Sequence, residues 1–330
     1  MFIKSCLKKA TPFVLGMSLM IQTYATVDGS ELTIGPASRQ VPFESLELNN
    51  QPIPKYSNGY MLAWRRTIPA SDLATNLTLF DRDGRVVRKL RLWIDDATSV
   101  TIVDGTVDPG GAIAVVGLAV SRTGQFAGFM GLIDGVGVTK IVQIAPFEGD
   151  GVTFASDGSI WVLGHQWSPD RHRKTAPAHS VLRRFSGSGT VVAEYLKWPE
   201  FACGPHPIES ANGSTAKILR GPAYVGLLLP ACNRWMEISL NGEIKRSVTW
   251  TTPESTLHPG ARQVGTPVIS NSGEVLANNA DGVLRLDMKT GVWHPVTGVA
   301  VPVSWFAGVD GDSLVYRSGL GGGFMWAKVQ

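Results

Sequence analysis

The stretch Val152-Thr-Phe-Ala-Ser-Asp157-Gly158-Ser-Ile-Trp161-Val-Leu-Gly164 decides the fold of this chain. Apolar residues alternate up to Asp157-Gly158, and a second apolar run follows this turn dipeptide. An Asp-Gly pair adopts positive φ at little cost, and β-branched and aromatic residues favour strands. The stretch therefore predicts a tight β-hairpin. Similar hairpins recur along the whole chain, and they indicate an architecture rather than a substrate or a partner.

The hairpin turns form two alternating sets. The first set places a glycine before an apolar run, at intervals of 38 to 63 residues: Gly59, Gly111, Gly158, Gly221, Gly273 and Gly311. The second set recurs at intervals of 49 to 53 residues: Gly84, Gly137, Gly189, Gly242 and Gly291. Two hairpins per repeat give four antiparallel strands, which we name a, b, c and d. A period near 50 residues with four strands is typical of a β-propeller blade. We therefore predict an all-β, six-bladed β-propeller whose blades bury their faces against one another.

The sixth repeat lacks a strand d of its own, because the chain ends in a c-type strand, Gly323-Phe-Met-Trp-Ala-Lys-Val-Gln330. The N-terminal segment 41–48 resembles strand d of the third repeat, residues 190–197. We expect this segment to pair with the C-terminal strand and to close the ring, which removes two exposed sheet edges and holds both ends of the chain.

The repeat resembles the six-bladed propellers of the NHL and SMP-30/gluconolactonase type, over nearly all of the chain after residue 25. This resemblance implies the architecture strongly and the function weakly, because many unrelated activities share the fold.

Residues 1–25 are predicted to be a secretory signal peptide. Lys4, Lys8 and Lys9 precede an apolar core, 12–21, that is shorter than the roughly 20 residues needed to span a bilayer. The alternative is a retained N-terminal anchor. If the signal peptide is removed, we expect residues 26–330 to form a single propeller domain that does not span a membrane. The protein would then be secreted or periplasmic.

The charge balance argues against a nucleic-acid partner. The whole chain carries 30 basic and 27 acidic residues, and the predicted signal accounts for three lysines and no acid. The remaining surface is therefore near neutral, whereas nucleic-acid binding requires a basic face.

Two cysteines, Cys203 and Cys232, remain after the predicted signal. An even number of cysteines is typical of a disulfide in an oxidising compartment. Both map to the same face of blade 4, so a disulfide between them is geometrically plausible, and a reactive thiol pair is the alternative.

We predict the binding face at the long b–c and d–a loops, because variable loops on a rigid scaffold carry most binding sites. The polar and aromatic candidates on this face are Glu148, Asp150, His165, Trp167, His172, His179, His206, Glu209 and His258. The alternative is that exposed loops simply accumulate polar residues. No His-x-His or His-Glu-x-x-His spacing supports a zinc site.

A calcium site is implied only by the resemblance to SMP-30-type lactonases, in which a Glu-Gly pair like Glu148-Gly149 supplies a carboxylate to a central calcium. Calcium takes about six to eight oxygen ligands. The corresponding segments before blades 5 and 6 are Val264-Gly-Thr and Val301-Pro-Val, which leave the ligand set incomplete. The alternative is that Glu148 is an ordinary acidic residue of a loop and binds no metal.

We therefore favour an exported binding or interaction module, with an unidentified ligand or protein at the loop face and with no cofactor required. The first alternative is a calcium-dependent, lactonase-like hydrolase, and the second is a structural envelope protein without a concave polar pocket. The sequence names no catalytic residue, because no Ser/His/Asp arrangement can be defended.

Overall fold

Short apolar runs, each ended by a turn, form antiparallel strands throughout the part of the chain that the structure describes. A computed structural model of the protein describes residues 32–42, 54–137, 139–166, 179–198, 216–251, 264–279, 282–298, 303–318 and 323–330, and the side chains of 303–305 are not among what it describes. The predicted signal peptide, 1–25, lies outside these ranges.

The first half of the chain contains β1 (Ile34–Pro42), β2 (Lys55–Ser57), β3 (Tyr60–Trp64), β4 (Thr67–Pro69), β5 (Leu77–Phe80), β6 (Val86–Leu90), β7 (Ala97–Val107), β8 (Ile113–Ser121), β9 (Phe126–Ile133), β10 (Thr139–Gln143), β11 (Phe147–Phe154) and β12 (Ile160–Gln166). The second half contains β13 (Ser180–Phe185), β14 (Val191–Lys197), β15 (Lys217–Arg220), β16 (Tyr224–Leu229), a 3-10 turn (Pro230–Cys232), β17 (Arg234–Ser239), β18 (Ile244–Thr249), β19 (Val268–Ile269), β20 (Val275–Asn279), β21 (Gly282–Leu286), β22 (Trp293–Pro295), β23 (Val303–Asp310), β24 (Ser313–Ser318) and β25 (Gly323–Val329).

The strands form six sheets, which are the six predicted blades. From strand a to strand d, their orders are β2-β3-β5-β6, β7-β8-β9-β10, β11-β12-β13-β14, β15-β16-β17-β18, β19-β20-β21-β22 and β23-β24-β25-β1. The prediction of a six-bladed propeller with four antiparallel strands per blade is confirmed. Blade 2 also receives β4, which pairs with the free edge of β7.

The predicted turn glycines explain how the hairpins close. Gly158 has a φ of 78°, and its N–H donates to the carbonyl of Ala155 at 3.1 Å. An L side chain rarely adopts this conformation, so glycine is favoured there. The other predicted turn glycines also have positive φ, with the exception of Gly221.

The N-terminal segment closes the ring, as predicted, but the strand begins earlier than expected. Residues Ile34–Pro42 pair with β25, with Val41 opposite Phe324 and Pro42 opposite Gly323. The prediction placed this strand at 41–48, and residues 43–48 lie outside the described ranges. Exposed residues between the buried Ile34 and Val41 hide the strand pattern in the sequence.

The hydrophobic core consists of six layers, one between each pair of neighbouring blades. The layer between blades 6 and 1 contains Val41, Tyr56, Met61, Val315 and Trp326, so the interface at which the two ends of the ring meet is packed like the others. Since one four-stranded sheet cannot bury both of its faces alone, each blade depends on its two neighbours. Residues Leu32–Gln330 form one compact unit.

The b–c connections were predicted to be long, and this is wrong for blades 2 and 4. Blade 2 joins β8 to β9 through a tight turn at Gly124, and blade 4 joins β16 to β17 through the short 3-10 turn. Within the part of the chain that the structure describes, no helix has the length and apolar character needed to cross a bilayer.

Candidate functional site

The first strands of all six blades surround a central cavity of about 780 Å³. Backbone and side chains from β2, β7, β11, β15, β19 and β23 line it. The charged residues among its described lining are Lys55, Asp104, Lys217 and Arg220. The cavity therefore combines apolar walls with a small number of charged groups, as ligand sites commonly do.

An ion pair lies between the inner strands of blades 1 and 2. Lys55 Nζ lies 3.2 and 3.0 Å from the two carboxylate oxygens of Asp104, and it also donates to the carbonyl of Val152 at 3.1 Å. The Val152 N–H donates to Asp104 Oδ2 at 2.9 Å. The charge of Lys55 is thus balanced within the protein, and the inner strands of three blades share one polar network.

Lys217 occupies a different electrostatic environment. Its side chain is accessible from the cavity, yet protein surrounds it, and this enclosure lowers the pKa of its ammonium group. The negative charges of Asp104 and Asp150 raise the pKa of Lys217, whereas the positive charge of Lys55 lowers it further. No carboxylate among the described residues lies within 4.0 Å of Lys217. This lysine is therefore a cation without a direct counter-ion in the described part of the site.

Arg220, at the end of β15, reaches across the cavity. Its Nη1 donates to Asn58 Oδ1 at 2.7 Å, although these residues belong to blades 4 and 1, on opposite sides of a six-bladed ring. Asn58 is held in place because its Nδ2 donates to the carbonyl of Val107 at 2.7 Å. The partner of Arg220 is neutral, so the positive charge of its guanidinium is retained in the cavity.

Three of the sequence-predicted residues come together at the start of blade 3. His165 Nδ1 lies 2.6 Å from Asp150 Oδ2, and His165 Nε2 lies 3.6 Å from Glu148 Oε2. Glu148 and His165 are register partners on β11 and β12, and a bulge between Gly149 and Gly151 places Asp150 beside them. Glu148 and Asp150 lie at the start of β11, which is its d–a end. The charge of Asp150 also raises the pKa of Lys217.

The other predicted site residues divide into two groups. His179 directly precedes β13, where its side chain is only 4% exposed and its carbonyl accepts the Trp198 N–H. It therefore belongs to the interior of blade 3 rather than to an open surface. The remaining candidates lie outside the described residues: Trp167, His172, His206, Glu209 and His258.

The disulfide prediction stays a prediction. Cys232 ends the 3-10 turn between β16 and β17, which is the predicted b–c connection of blade 4. Cys203 lies outside the described residues.

The described residues do not fit a calcium ion. No group of three or more His, Cys, Asp or Glu side chains within the described ranges could hold a metal. Both carboxylate oxygens of Asp104 face the ammonium of Lys55, and Glu148 and Asp150 flank His165. Calcium needs about six to eight oxygen ligands, whereas these carboxylates already face cationic or cation-forming groups.

Sequence reasoning missed Lys55, Asp104, Lys217 and Arg220. The sequence does contain a pattern that indicates two of these residues. Lys55 and Lys217 each lie four residues before a predicted turn glycine, Gly59 and Gly221 respectively, and therefore within strand a. Strand a borders the axis of a propeller, so charged residues at these positions mark the cavity.

Comparisons with known proteins show that this chain is similar to solved structures in its fold. No family model matches the chain, and no curated protein matches its sequence. A Bacteroides fragilis protein inferred to be exported is 9% identical with a TM-score of 0.52, covering 92% of this chain and 98% of that protein. Regucalcin, a calcium-binding protein of Agrobacterium tumefaciens, is 14% identical with a TM-score of 0.46, covering 90% and 96%. A gluconolactonase of Xanthomonas campestris is 13% identical with a TM-score of 0.42, covering 89% and 99%. The six sheets of the chain make it a six-bladed β-propeller, and what it has in common with the Bacteroides fragilis protein is this fold alone.

Proposed function

We propose that this protein is a binding module whose small-molecule ligand occupies the central cavity. The observation that carries the proposal is the cavity itself, about 780 Å³ in volume and lined by strand a of every blade. Its volume lies within the range of roughly 300–1,000 Å³ that is typical of small-molecule sites. Its lining is rigid, because the strands that form it are packed between neighbouring blades.

The polar groups of the cavity support binding without further rearrangement. Lys55 and Asp104 are fixed by the network that includes Val152, and Arg220 is fixed by Asn58. Groups that are already oriented lose little conformational entropy when a ligand binds, and this favours affinity. The predicted loop face and the predicted export of the protein belong to the same proposal.

A ligand screen with a blocked variant tests this function. Val103→Trp adds a large side chain to a residue that lines the cavity, and Val87→Trp makes the same change on the outer strand β6, where Val87 is 48% exposed. We expect at least one compound of a small-metabolite library to raise the melting temperature of the wild type and of Val87→Trp, but not of Val103→Trp. The proposal is wrong if no compound binds, or if both variants bind equally well.

A lactonase-like hydrolase is the competing function, and the Asp150–His165 contact of 2.6 Å is the observation that favours it. A carboxylate that orients an imidazole is a common arrangement for a general base. Hydrolysis of gluconolactone, measured with and without added calcium chloride, tests this alternative. Turnover that His165→Asn abolishes would establish a hydrolase in place of a pure binding module.

A purely structural envelope role is less well supported. That role predicts a propeller without a concave polar pocket, whereas the cavity contains Lys55, Asp104, Lys217 and Arg220. Charged groups that protein partly surrounds cost desolvation energy, so a structural plug would favour apolar residues there.

A further inference from the structure

The described lining of the cavity is electropositive. Three cations, Lys55, Lys217 and Arg220, face it together with one carboxylate, Asp104. Both carboxylate oxygens of Asp104 accept hydrogen bonds from Lys55. The charges of Lys217 and Arg220 therefore have no carboxylate partner within 4.0 Å among the residues that the structure describes.

A cation without a carboxylate beside it is disfavoured where protein partly surrounds it, and Lys217, an exposed residue that opens onto the cavity, is in this situation. The protein around it disfavours the ammonium form and lowers its pKa, Asp104 offsets part of this effect, Lys55 adds to it, and Asp150 offsets it slightly. A bound negative charge would remove this penalty, because an opposite charge at short distance stabilises the ionised form. Low-dielectric walls lined mainly by one sign of charge also concentrate ions of the opposite sign.

Arg220 extends the positive region towards the turn end of the cavity. Lys217 and Arg220 are three residues apart on β15, which places their backbones roughly 10 Å apart along the strand. One hydrogen bond ties Arg220 to Asn58, and a guanidinium has five N–H donors. Four donors are thus not used by Asn58.

We propose that the central cavity contains an anion subsite centred on Lys217, with Arg220 as its second cation, and that it takes a small molecule bearing a carboxylate or phosphate group. This inference rests on the proposed function, and it names the chemical class of the ligand. It separates this chain from a calcium-binding propeller, because a divalent cation would face Lys55, Lys217 and Arg220 at close range.

Titration calorimetry at low ionic strength tests the subsite with defined probes. The probes are inorganic phosphate, citrate, glucose and calcium chloride, each added to the full-length protein. The variants are Lys217→Gln, which removes the charge, and Lys217→Arg, which keeps it. Lys245→Gln is the matched control, because Lys245 is exposed on β18 of the same blade and does not line the cavity.

We expect phosphate or citrate to bind the wild type, and the affinity to fall as salt is added. Loss of one charge-assisted contact should weaken binding about tenfold or more in Lys217→Gln, with Lys217→Arg and Lys245→Gln close to the wild type. Binding of phosphate alone or citrate alone identifies the anionic group. Circular dichroism of Lys217→Gln checks that the variant is folded.

The inference is overturned if neither anion binds more tightly than glucose, if Lys217→Gln binds the anion as well as the wild type does, or if calcium binds in the cavity instead. These outcomes are distinct from failure of the proposed function. A neutral compound that binds the wild type but not Val103→Trp would leave the binding module intact and remove only the anion subsite.

Discussion

Lys55 and Asp104 join the inner strands of blades 1 and 2 through an ion pair of 3.0 Å. The pair is largely enclosed, with side-chain exposures of 25% and 20%. The main chain of Val152 completes it from blade 3, since its carbonyl accepts from Lys55 and its N–H donates to Asp104. This network lies where the blades converge, so it contributes to the alignment of the propeller as well as to the charge of the cavity.

Replacement of Asp104 by Asn should destabilise the protein. The substitution keeps the side-chain volume, but it leaves Lys55 without a counter-ion and can place an amide donor opposite another donor. Hydrogen bonds to charged groups contribute about 1.5–3 kcal/mol, so we expect the free energy of unfolding to fall by about 2 kcal/mol in urea denaturation. Asp96→Asn is the control, because Asp96 is 89% exposed and lies 3.9 Å from Arg122. Equal losses in the two variants would contradict a special role for the network.

Gly164→Ala should be strongly destabilising. A Cβ atom at this position would lie 2.0 Å from the carbonyl oxygen of Glu148 and 2.6 Å from the ring of Phe147. Neither neighbour is the end of a flexible side chain, and overpacking of this kind costs about 3 kcal/mol. Gly187→Ala is the matched control, since a Cβ there has nothing within 4 Å. Thermal unfolding of the two variants checks the prediction, and a Gly164 variant as stable as the Gly187 variant would refute it.

Ile34→Ala tests the closure of the ring by β1. Ile34 is 1% exposed and packs with Leu276 and Phe306 in the layer between blades 5 and 6. Truncation of a buried isoleucine costs about 2–5 kcal/mol, and the change lies in the strand that joins the two ends of the ring. Gln40→Ala, on the exposed side of the same strand, should change the free energy of unfolding by less than about 0.5 kcal/mol. Similar small effects in both variants would show that β1 is not essential to the ring.

The stability of the protein should depend on Lys217 in a defined pH window. Its pKa in the folded state is lowered from 10.5, so between the lowered value and 10.5 the unfolded chain holds more protons than the folded chain. Stability therefore rises with pH across this window, and the whole penalty is present below the lowered pKa. Because Lys217 is open to the cavity, we expect Lys217→Gln to be slightly more stable than the wild type at the acidic end of this window, and the difference should shrink towards pH 10.5. Urea denaturation at several pH values measures it, and a difference that is independent of pH would count against the enclosed cation.

Cys203 and Cys232 are predicted to form a disulfide in the exported protein. A bridge that closes a loop of about 30 residues contributes about 3–4 kcal/mol in the chain-entropy model. Peptide mapping of the protein without reductant should recover the two cysteines in one linked peptide, and Cys232→Ser should lower the melting temperature. Alkylation of both thiols in the native, unreduced protein would exclude the bridge.

Much of the fold was predictable because its signals are local. The turn at Asp157-Gly158 requires a residue that tolerates positive φ, and the apolar runs on either side require a hairpin. Repetition of this pattern predicted six blades and the closure by the N-terminal segment. The start of the closing strand was missed, because the residues between Ile34 and Val41 carry no strand alternation, and their pairing depends on contacts with β25.

The candidate site was only partly predictable. Glu148, Asp150 and His165 were selected individually from their loop positions, and β11 and β12 bring them into contact. His179 was selected in the same way, but it is buried within blade 3. Lys217 was not selected, because a single lysine near the start of a strand looks like any solvated charge.

The sequence by itself determined the repeat, the number of blades and the position of most hairpin turns, since each depends on backbone preferences over a few neighbouring residues. Only the tertiary structure decided which charges meet at the axis. Lys55 and Asp104 are 49 residues apart, and Asn58 and Arg220 are 162 residues apart. Their approach depends on the radial packing of six sheets, so the electropositive cavity exists only when the ring is closed.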